Sequence, residues 1–160
     1  MEFDQNLIEK IKNAKHIVFF TGAGISQESG IPTFRDALTG FWENLDPNDL
    51  ATPNAYKEQP DVVWGWYESR RNFVLKCEPN LAHTTISAIQ EKIKTTVITQ
   101  NVDGLHERAG NLNVIRLHGS LHEPRCFDCS KPHVEPLPTI VDHTDGQPIE
   151  PPKCIHCGGN

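Results

Sequence analysis

Two cysteine pairs, "CFDC" (Cys126 to Cys129) and "CIHC" (Cys154 to Cys157), stand 24 residues apart and constrain this chain more than any other feature. Each pair places two thiolates at one knuckle. Two knuckles close a tetrahedral site of four sulfurs, which suits Zn²⁺ and leaves no coordination position open for chemistry. The setting agrees, since seven of the twelve prolines lie from Pro124 onward. A segment so interrupted builds little core of its own, and a metal serves it as a staple. His122, His133, His143 and His156 could substitute as ligands but read as bystanders. Unrelated surface cysteines or a redox dithiol are the alternatives. The fifth cysteine, Cys77, is alone, and an odd count does not suggest a disulfide framework.

The bulk numbers exclude some functions. A length of 160 residues suits a real core. A net charge of -6 argues against a general nucleic-acid binder, which needs a basic face to displace counterions. No apolar run approaches the roughly 20 residues of a membrane span. "MEFDQNLIEK" lacks a basic stretch followed by an apolar one, so no export signal is read there and a cytoplasmic location is expected.

Ahead of the cysteines the pattern is that of a parallel α/β sheet. Asp4 to Ala14 reads as an amphipathic helix with Leu7, Ile8 and Ile11 on one side, and "HIVFF" (His16 to Phe20) as a buried strand. Asp46 to Lys76 reads as helical. A further helix starts near Asn80, a candidate N-cap, with a stripe of Ala82, Ile86, Ile89 and Ile93. "TTVIT" (Thr95 to Thr99) and "NVIRLHG" are the next strands. Strand, loop, helices and strand in this order make a Rossmann-like sheet, with a zinc-ribbon module after it. The expected division is 1–120, with a helical insertion about 46–80, and 121–160.

"GAG" (Gly22 to Gly24) directly follows the first strand. Such a loop can bring backbone N–H groups and a helix N-terminus up to a pyrophosphate. The third glycine of the dinucleotide fingerprint would fall at Gln27, so a plain tight turn fits the same residues equally well. Ser26, Ser29, Phe34, Arg35 and Asp36 share the loop, and "QNVD" (Gln100 to Asp103) ends a later strand. In a parallel sheet both strand ends lie on the edge where ligands bind, so the two patches should converge.

Together, "GAGISQESGIPTFR", "TQNVDGLHERAG", "LHGSLHEPRC" and the two cysteine pairs resemble the sirtuins, NAD-dependent protein-lysine deacylases. The resemblance runs from about His16 to Cys157. It implies that Gly22, Ala23, Gly24, Phe34 and Arg35 line an NAD pocket, and that Gln100, Asn101 and Asp103 contact the nicotinamide ribose and carboxamide. It implies that the acyl-lysine carbonyl oxygen attacks C1′ of that ribose and nicotinamide leaves. His118 would then be the general base for a ribose hydroxyl, and O-acyl-ADP-ribose the product. An imidazole suits that proton transfer at neutral pH. Phe34 would keep water out of the pocket while positive charge develops.

In "WGWYESRRNF" (Trp64 to Phe73), Tyr67 and Arg70 fall three apart on one helix face, with Arg71 read as a surface charge. They match the YxxR pattern of sirtuins that resemble this chain and prefer malonyl-, succinyl- or glutaryl-lysine over acetyl-lysine. A guanidinium gives a carboxylate two charge-assisted hydrogen bonds, and a phenol adds a donor. The expected activity is therefore removal of succinyl or malonyl groups, and weakly acetyl, from acyl-lysine proteins. A plain deacetylase, an ADP-ribosyl transferase and a non-catalytic zinc module remain as other readings. The resemblance also implies further strands past Asn160, so the chain reads as a fragment, or as a product that needs a complementing C-terminal segment. Turnover by the isolated chain is not expected.

Overall fold

The computed structural model describes residues 4–33, 50–137 and 147–160. The chain forms two compact units: Met1–Ile31 with Glu78–Gly119, and Pro32–Cys77 with Ser120–Asn160. No helix among the described residues is long and apolar enough to cross a membrane.

The first unit is built on a parallel sheet in the order β1 (His16–Thr21), β2 (Lys94–Thr99), β3 (Val114–Arg116). Its register pairs Val18 with Thr96 and Thr21 with Thr99, then Val97 with Val114 and Thr99 with Arg116. β2 lies in the middle, and its run of Thr95, Thr96, Val97 and Thr99 is buried, as β-branched residues in a central parallel strand should be. The two strand tips are laced together where the Gln100 N–H donates to the Thr21 carbonyl at 3.0 Å.

Helix α1 (Gln5–Asn13) starts on the Asp4 carboxylate, which accepts from the Asn6 N–H at 2.8 Å, and ends with Lys10 and Lys12 against its negative pole. None of its residues is buried. The expected burial of β1 is corrected too: Val18 and Phe20 are exposed, as are Ile115 and Leu117 across the sheet, while Thr96 between them is buried.

Helix α4 (Leu81–Gln90) has Asn80 as its N-cap, as its sequence predicts, within a capping box closed by His83. Its buried face differs from the expected stripe. His83 and Ile86 face inward, Ala82 is exposed, and the helix ends before Ile93. A histidine that caps the helix with its ring displaces the aliphatic pattern by one position.

In the second unit, α2 (Pro53–Glu58) is capped by Thr52, whose hydroxyl accepts from the Ala55 N–H at 3.1 Å. Helix α3 (Pro60–Lys76) follows, also with proline in its first turn. Leu50, Val63 and Trp66 form the core, and Ala55, Tyr56, Val62 and Tyr67 pack against it. Gly65 is glycine because backbone crosses the helix there. A Cβ would collide with the Gln147 carbonyl oxygen, and the neighbouring Ile149 N–H donates to the Asp61 carbonyl at 2.9 Å. Arg71 corrects the surface reading. It is 7 % exposed and forks onto Glu68, itself 2 % exposed, with Nε to Oε1 at 3.1 Å and Nη2 to Oε2. The i,i+3 spacing and bidentate geometry offset the desolvation of both charges.

Candidate active site and metal centre

Among the described residues the cysteine segment has almost no regular structure; its one ladder contact there is the antiparallel bridge Arg125 to Pro132. Two matching knuckles replace secondary structure. In the first, the Cys126 N–H donates to the Lys131 carbonyl at 2.9 Å and the Ser130 N–H to the Cys126 carbonyl at 2.9 Å. In the second, the Cys154 N–H donates to Gly159 at 2.7 Å and the Gly158 N–H to Cys154 at 2.8 Å. Each knuckle turns through the left-handed region one residue after its second cysteine, at Ser130 (φ 59°) and Gly158 (φ 74°). Serine there bears a cost that glycine escapes.

The knuckles bring the four cysteine sulfurs within 4.8 Å of one another. Cys126 Sγ lies 3.6 Å from Cys157 Sγ, and Cys129 Sγ lies 3.7 Å from Cys154 Sγ. A tetrahedron with Zn–S bonds of about 2.3 Å has edges of about 3.8 Å, so two of its six edges already have that length and the sulfurs can close on an ion. Their protonation fits too. The Cys154 thiol is held down at about 7, chiefly by the His156 N–H. The Gly159 N–H pulls Cys157 the same way, yet its thiol neighbours Cys126 and Cys129 push it up to about 12. Clustered thiolates repel one another, and a bound dication removes the conflict. Among the described histidines, His122, His133 and His156 stay outside the cluster; His143 lies outside the described residues.

At the sheet's C-terminal edge the two polar patches do meet. Ser26, 1 % exposed, donates its hydroxyl to Asp103 Oδ2 at 2.7 Å. Asn101 Nδ2 donates to Ser26 Oγ at 3.1 Å, and the Asn101 N–H to Thr99 Oγ1 at 3.0 Å. Asp103 Oδ1 accepts from the Leu105 N–H at 2.9 Å, which starts α5 (Leu105–Arg108) after the left-handed turn at Gly104. Ser26 is carried by the segment Ala23–Ser29, which follows Gly22 as a 3-10 helix. Nothing described lies within 4 Å of a Cβ built at Gly22 or Gly24, and neither has a positive φ. Among the described residues nothing therefore demands glycine there.

His118 follows β3 on the same edge and is exposed. Its Nδ1 lies 3.2 Å from the Gln100 carbonyl oxygen. A carbonyl only accepts, so Nδ1 carries the proton and Nε2 is left as the basic nitrogen. Gln100 is exposed beside it. Phe34 and Arg35 lie outside the described residues.

The sequence profile of the Sir2 family matches residues 22–160, which include every one of these groups. The chain is a Sir2-family member. It is 55% identical over 160 residues to an NAD-dependent protein deacylase of Methylococcus capsulatus, covering 99% of this chain and 62% of that protein. It is 53% identical to NAD-dependent protein deacylase 1 of Pseudomonas aeruginosa, covering 96% and 62%. Among solved structures it superimposes on a Sir2 homologue in complex with NAD with a TM-score of 0.82 and 41% identity, covering 99% of this chain and 59% of that one. This Sir2 chain thus spans about three-fifths of the length of its curated relatives.

The Sir2 chain also holds site-supporting residues that pattern reading does not single out. Asn80 Nδ2 reaches back from the α4 cap to the Ile25 carbonyl at 2.7 Å and Ser29 Oγ at 3.1 Å. Thr21 Oγ1 lies 2.9 Å from His106 Nε2 in the interior. His106 packs on His83 with ring centroids 4.9 Å apart, both essentially unexposed. Among the described residues, His83 Nε2 and His106 Nδ1 are buried without a hydrogen-bond partner. Burial pushes both imidazoles below their ordinary range. His83 further lowers His106, while Asp103 opposes both shifts and Glu107 opposes that of His106.

A depressed histidine makes the unfolded chain bind the extra proton first. Stability is then flat above about pH 6.5 and declines as pH falls below it, down to the folded-state values. Urea unfolding of the zinc-loaded Sir2 chain at pH 7.5 and 5.5 should show that decline, and His106→Asn should lessen it. An equal decline in both proteins would remove the histidine pair as its source.

Proposed function

We propose that this Sir2 chain carries the nicotinamide-ribose side of an NAD-dependent protein-lysine deacylase. The observation that supports this most is the convergence of Ser26, Asn101 and Asp103 in one hydrogen-bonded cluster, beside a His118 whose Nδ1 rests on Gln100. When bound, NAD supplies a ribose carbon that nicotinamide can leave. The chain's own part is to hold the sugar and carboxamide and to take a proton. Asp103, buried and engaged through its two oxygens by Ser26 and the Leu105 N–H, fixes the cluster in place. Asn101 offers an amide, and Gly22, Ala23 and Gly24 leave the backbone approachable. His118 accepts the ribose hydroxyl proton at Nε2. Phe34 and Arg35 lie outside the described residues, and their share in binding NAD rests on the resemblance to the sirtuins alone. Acylated proteins are the substrates, and the four-cysteine zinc site is structural. The reduced cytoplasm suits four unpaired thiols. A complementing polypeptide segment over Val18, Phe20, Ile115 and Leu117 would cover the open sheet face.

The acyl group preferred is an acidic one. Arg70 and Tyr67 are half-buried on one face of α3, and the guanidinium lies 5.0 Å from the centroid of the Trp66 ring. Burial lowers the Arg70 pKa and raises that of Tyr67, each tempered by the other. A partly desolvated guanidinium binds a carboxylate more strongly than one in water. The assay is nicotinamide release from NAD with succinyl-, malonyl- or acetyl-lysine peptides, on a protein carrying this segment together with the remainder its relatives have. Release should depend on the acylated peptide, with succinyl preferred. Arg70→Met should cut the succinyl-to-acetyl ratio by roughly tenfold or more, in line with one charged hydrogen-bonding pair. An unchanged ratio would remove Arg70 from selectivity, and release without any peptide would remove the deacylase reading.

A further inference from the structure

The glycine turn runs on into a seven-residue 3-10 segment, Ala23–Ser29. Hydrogen bonds of that helix type are poorly aligned, and runs longer than three or four residues are uncommon. Two elements elsewhere in the first unit support this one. From beyond the tip of β2, Asp103 and Asn101 hold the Ser26 hydroxyl. From the α4 cap, Asn80 donates its amide Nδ2 to the Ile25 carbonyl at 2.7 Å and to Ser29 Oγ at 3.1 Å. The oxygen of the same amide is committed to the helix. Asn80 Oδ1 accepts from the Ala82 N–H at 2.9 Å and from the His83 N–H in the capping box. These partners fix which way the amide points, since backbone N–H groups require its oxygen and a carbonyl requires its NH₂. A helix cap needs only the acceptor, which serine, aspartate and asparagine supply about equally well. The donor half of Asn80 is more than α4 requires, and it reaches a loop 55 residues earlier.

We propose that Asn80 is a positioning residue for the nucleotide: its amide NH₂ keeps Ala23–Ser29 in the shape that receives NAD, and so sets NAD affinity without entering the reaction. The proposal rests on the nicotinamide-ribose reading given above and adds a residue to it. Gly22 and Gly24 bring no side chain that would hold the turn, and nothing described lies within 4 Å of where a Cβ would sit on either. The side-chain bonds that fix the segment fall at positions 25, 26 and 29, and Asn80 makes those at 25 and 29. A loop already held in its binding conformation loses less freedom when a ligand arrives, and the difference appears as affinity. His118 takes its orientation from Gln100 instead, so the proton transfer has a separate support.

The test compares Asn80→Ser and Asn80→Asp with the parent, in a protein carrying this segment together with the remainder its relatives have. Both replacements cap α4 and both lack the NH₂; only aspartate adds charge. Without NAD, hydrogen exchange should quicken at Gly30 and Ile31, whose N–H groups close the segment on the Gln27 and Ser26 carbonyls, while the amides of α4 keep their protection. Calorimetric titration should give a Kd for NAD raised roughly fivefold or more in both variants, in line with lost hydrogen bonds. In nicotinamide release the KM for NAD should rise with the Kd, and kcat at saturating NAD should stay within about twofold of the parent. An unchanged Kd in Asn80→Ser overturns the proposal and leaves Asn80 a helix cap. Weaker binding by Asn80→Asp alone also overturns it, since the added carboxylate would then be repelling an anionic ligand. Exchange that quickens throughout α4 as well makes Asn80 a general stabiliser and overturns the positioning role. A parent that binds no NAD fails one step earlier, at the nucleotide reading itself, so the two failures are told apart.

Discussion

Serine at position 126 is expected to abolish stoichiometric zinc and to dissolve the cooperative fold of the second unit. Cys126 is the buried member of the four-sulfur cluster, 8 % exposed, and its backbone also closes the first knuckle through Lys131. Among the described residues the segment is held otherwise by an isolated bridge, short backbone bonds within and between the knuckles, the Tyr56–Phe127 ring contact and the backbone bond from Ile149 to α3. Structural zinc sites supply about 10–16 kcal/mol at neutral pH, more than a core centred on Leu50, Val63 and Trp66 can replace. Metal analysis should fall from one zinc per chain to near none. Near-ultraviolet circular dichroism should lose the signal of the packed Trp66 and Tyr67 rings, whose centroids are 4.7 Å apart. A strong chelator should do the same to the unmodified chain. A serine variant that is zinc-free yet unfolds at the same temperature would mean the cysteines are not a structural centre.

The second large effect is catalytic. His118→Ala, in a protein that carries this segment with the remainder its relatives have, should lower kcat by about 10²–10⁴, the usual worth of a positioned general base. Its stability and NAD affinity should change little, because His118 is exposed and its recorded bond is the 3.2 Å contact with Gln100. The pH profile discriminates. Loss of a base should erase the acidic limb of kcat, whereas loss of a merely structural contact would lower the whole profile and keep its shape. A kcat within about threefold of the parent would exclude the base role.

Much of this was legible in sequence because it rests on local rules. The cysteine spacing leads to a cluster since each knuckle is a short-range turn. Asn80 reads as a cap since capping is a contact of two or three residues. The central strand β2 is found because a buried parallel strand is a continuous β-branched run. What escaped depends on partners far along the chain. Gly65 looks like a weak point in a helix until residues 147–149 cross it. Arg71 reads as solvated until Glu68 is seen buried beneath it. His83 and His106 stand 23 positions apart and look like ordinary polar residues, yet their rings meet edge to face in the interior. Ser26 is one polar residue among several in its loop; only the fold of β1 against β2 places its hydroxyl on Asp103. The insertion between β1 and β2 reads as part of its surrounding sheet by chain order, and by contact it packs with the cysteine segment.

The most direct measurement is an NMR titration with NAD, on the same longer protein. The account predicts that the amides of Gly22, Gly24 and Ser26, those of Asn101 and Asp103, and the His118 ring all shift along one binding curve, and that Ser26→Ala weakens that curve. Shifts confined to one of these three patches, or distinct curves for each, would contradict a shared nucleotide site.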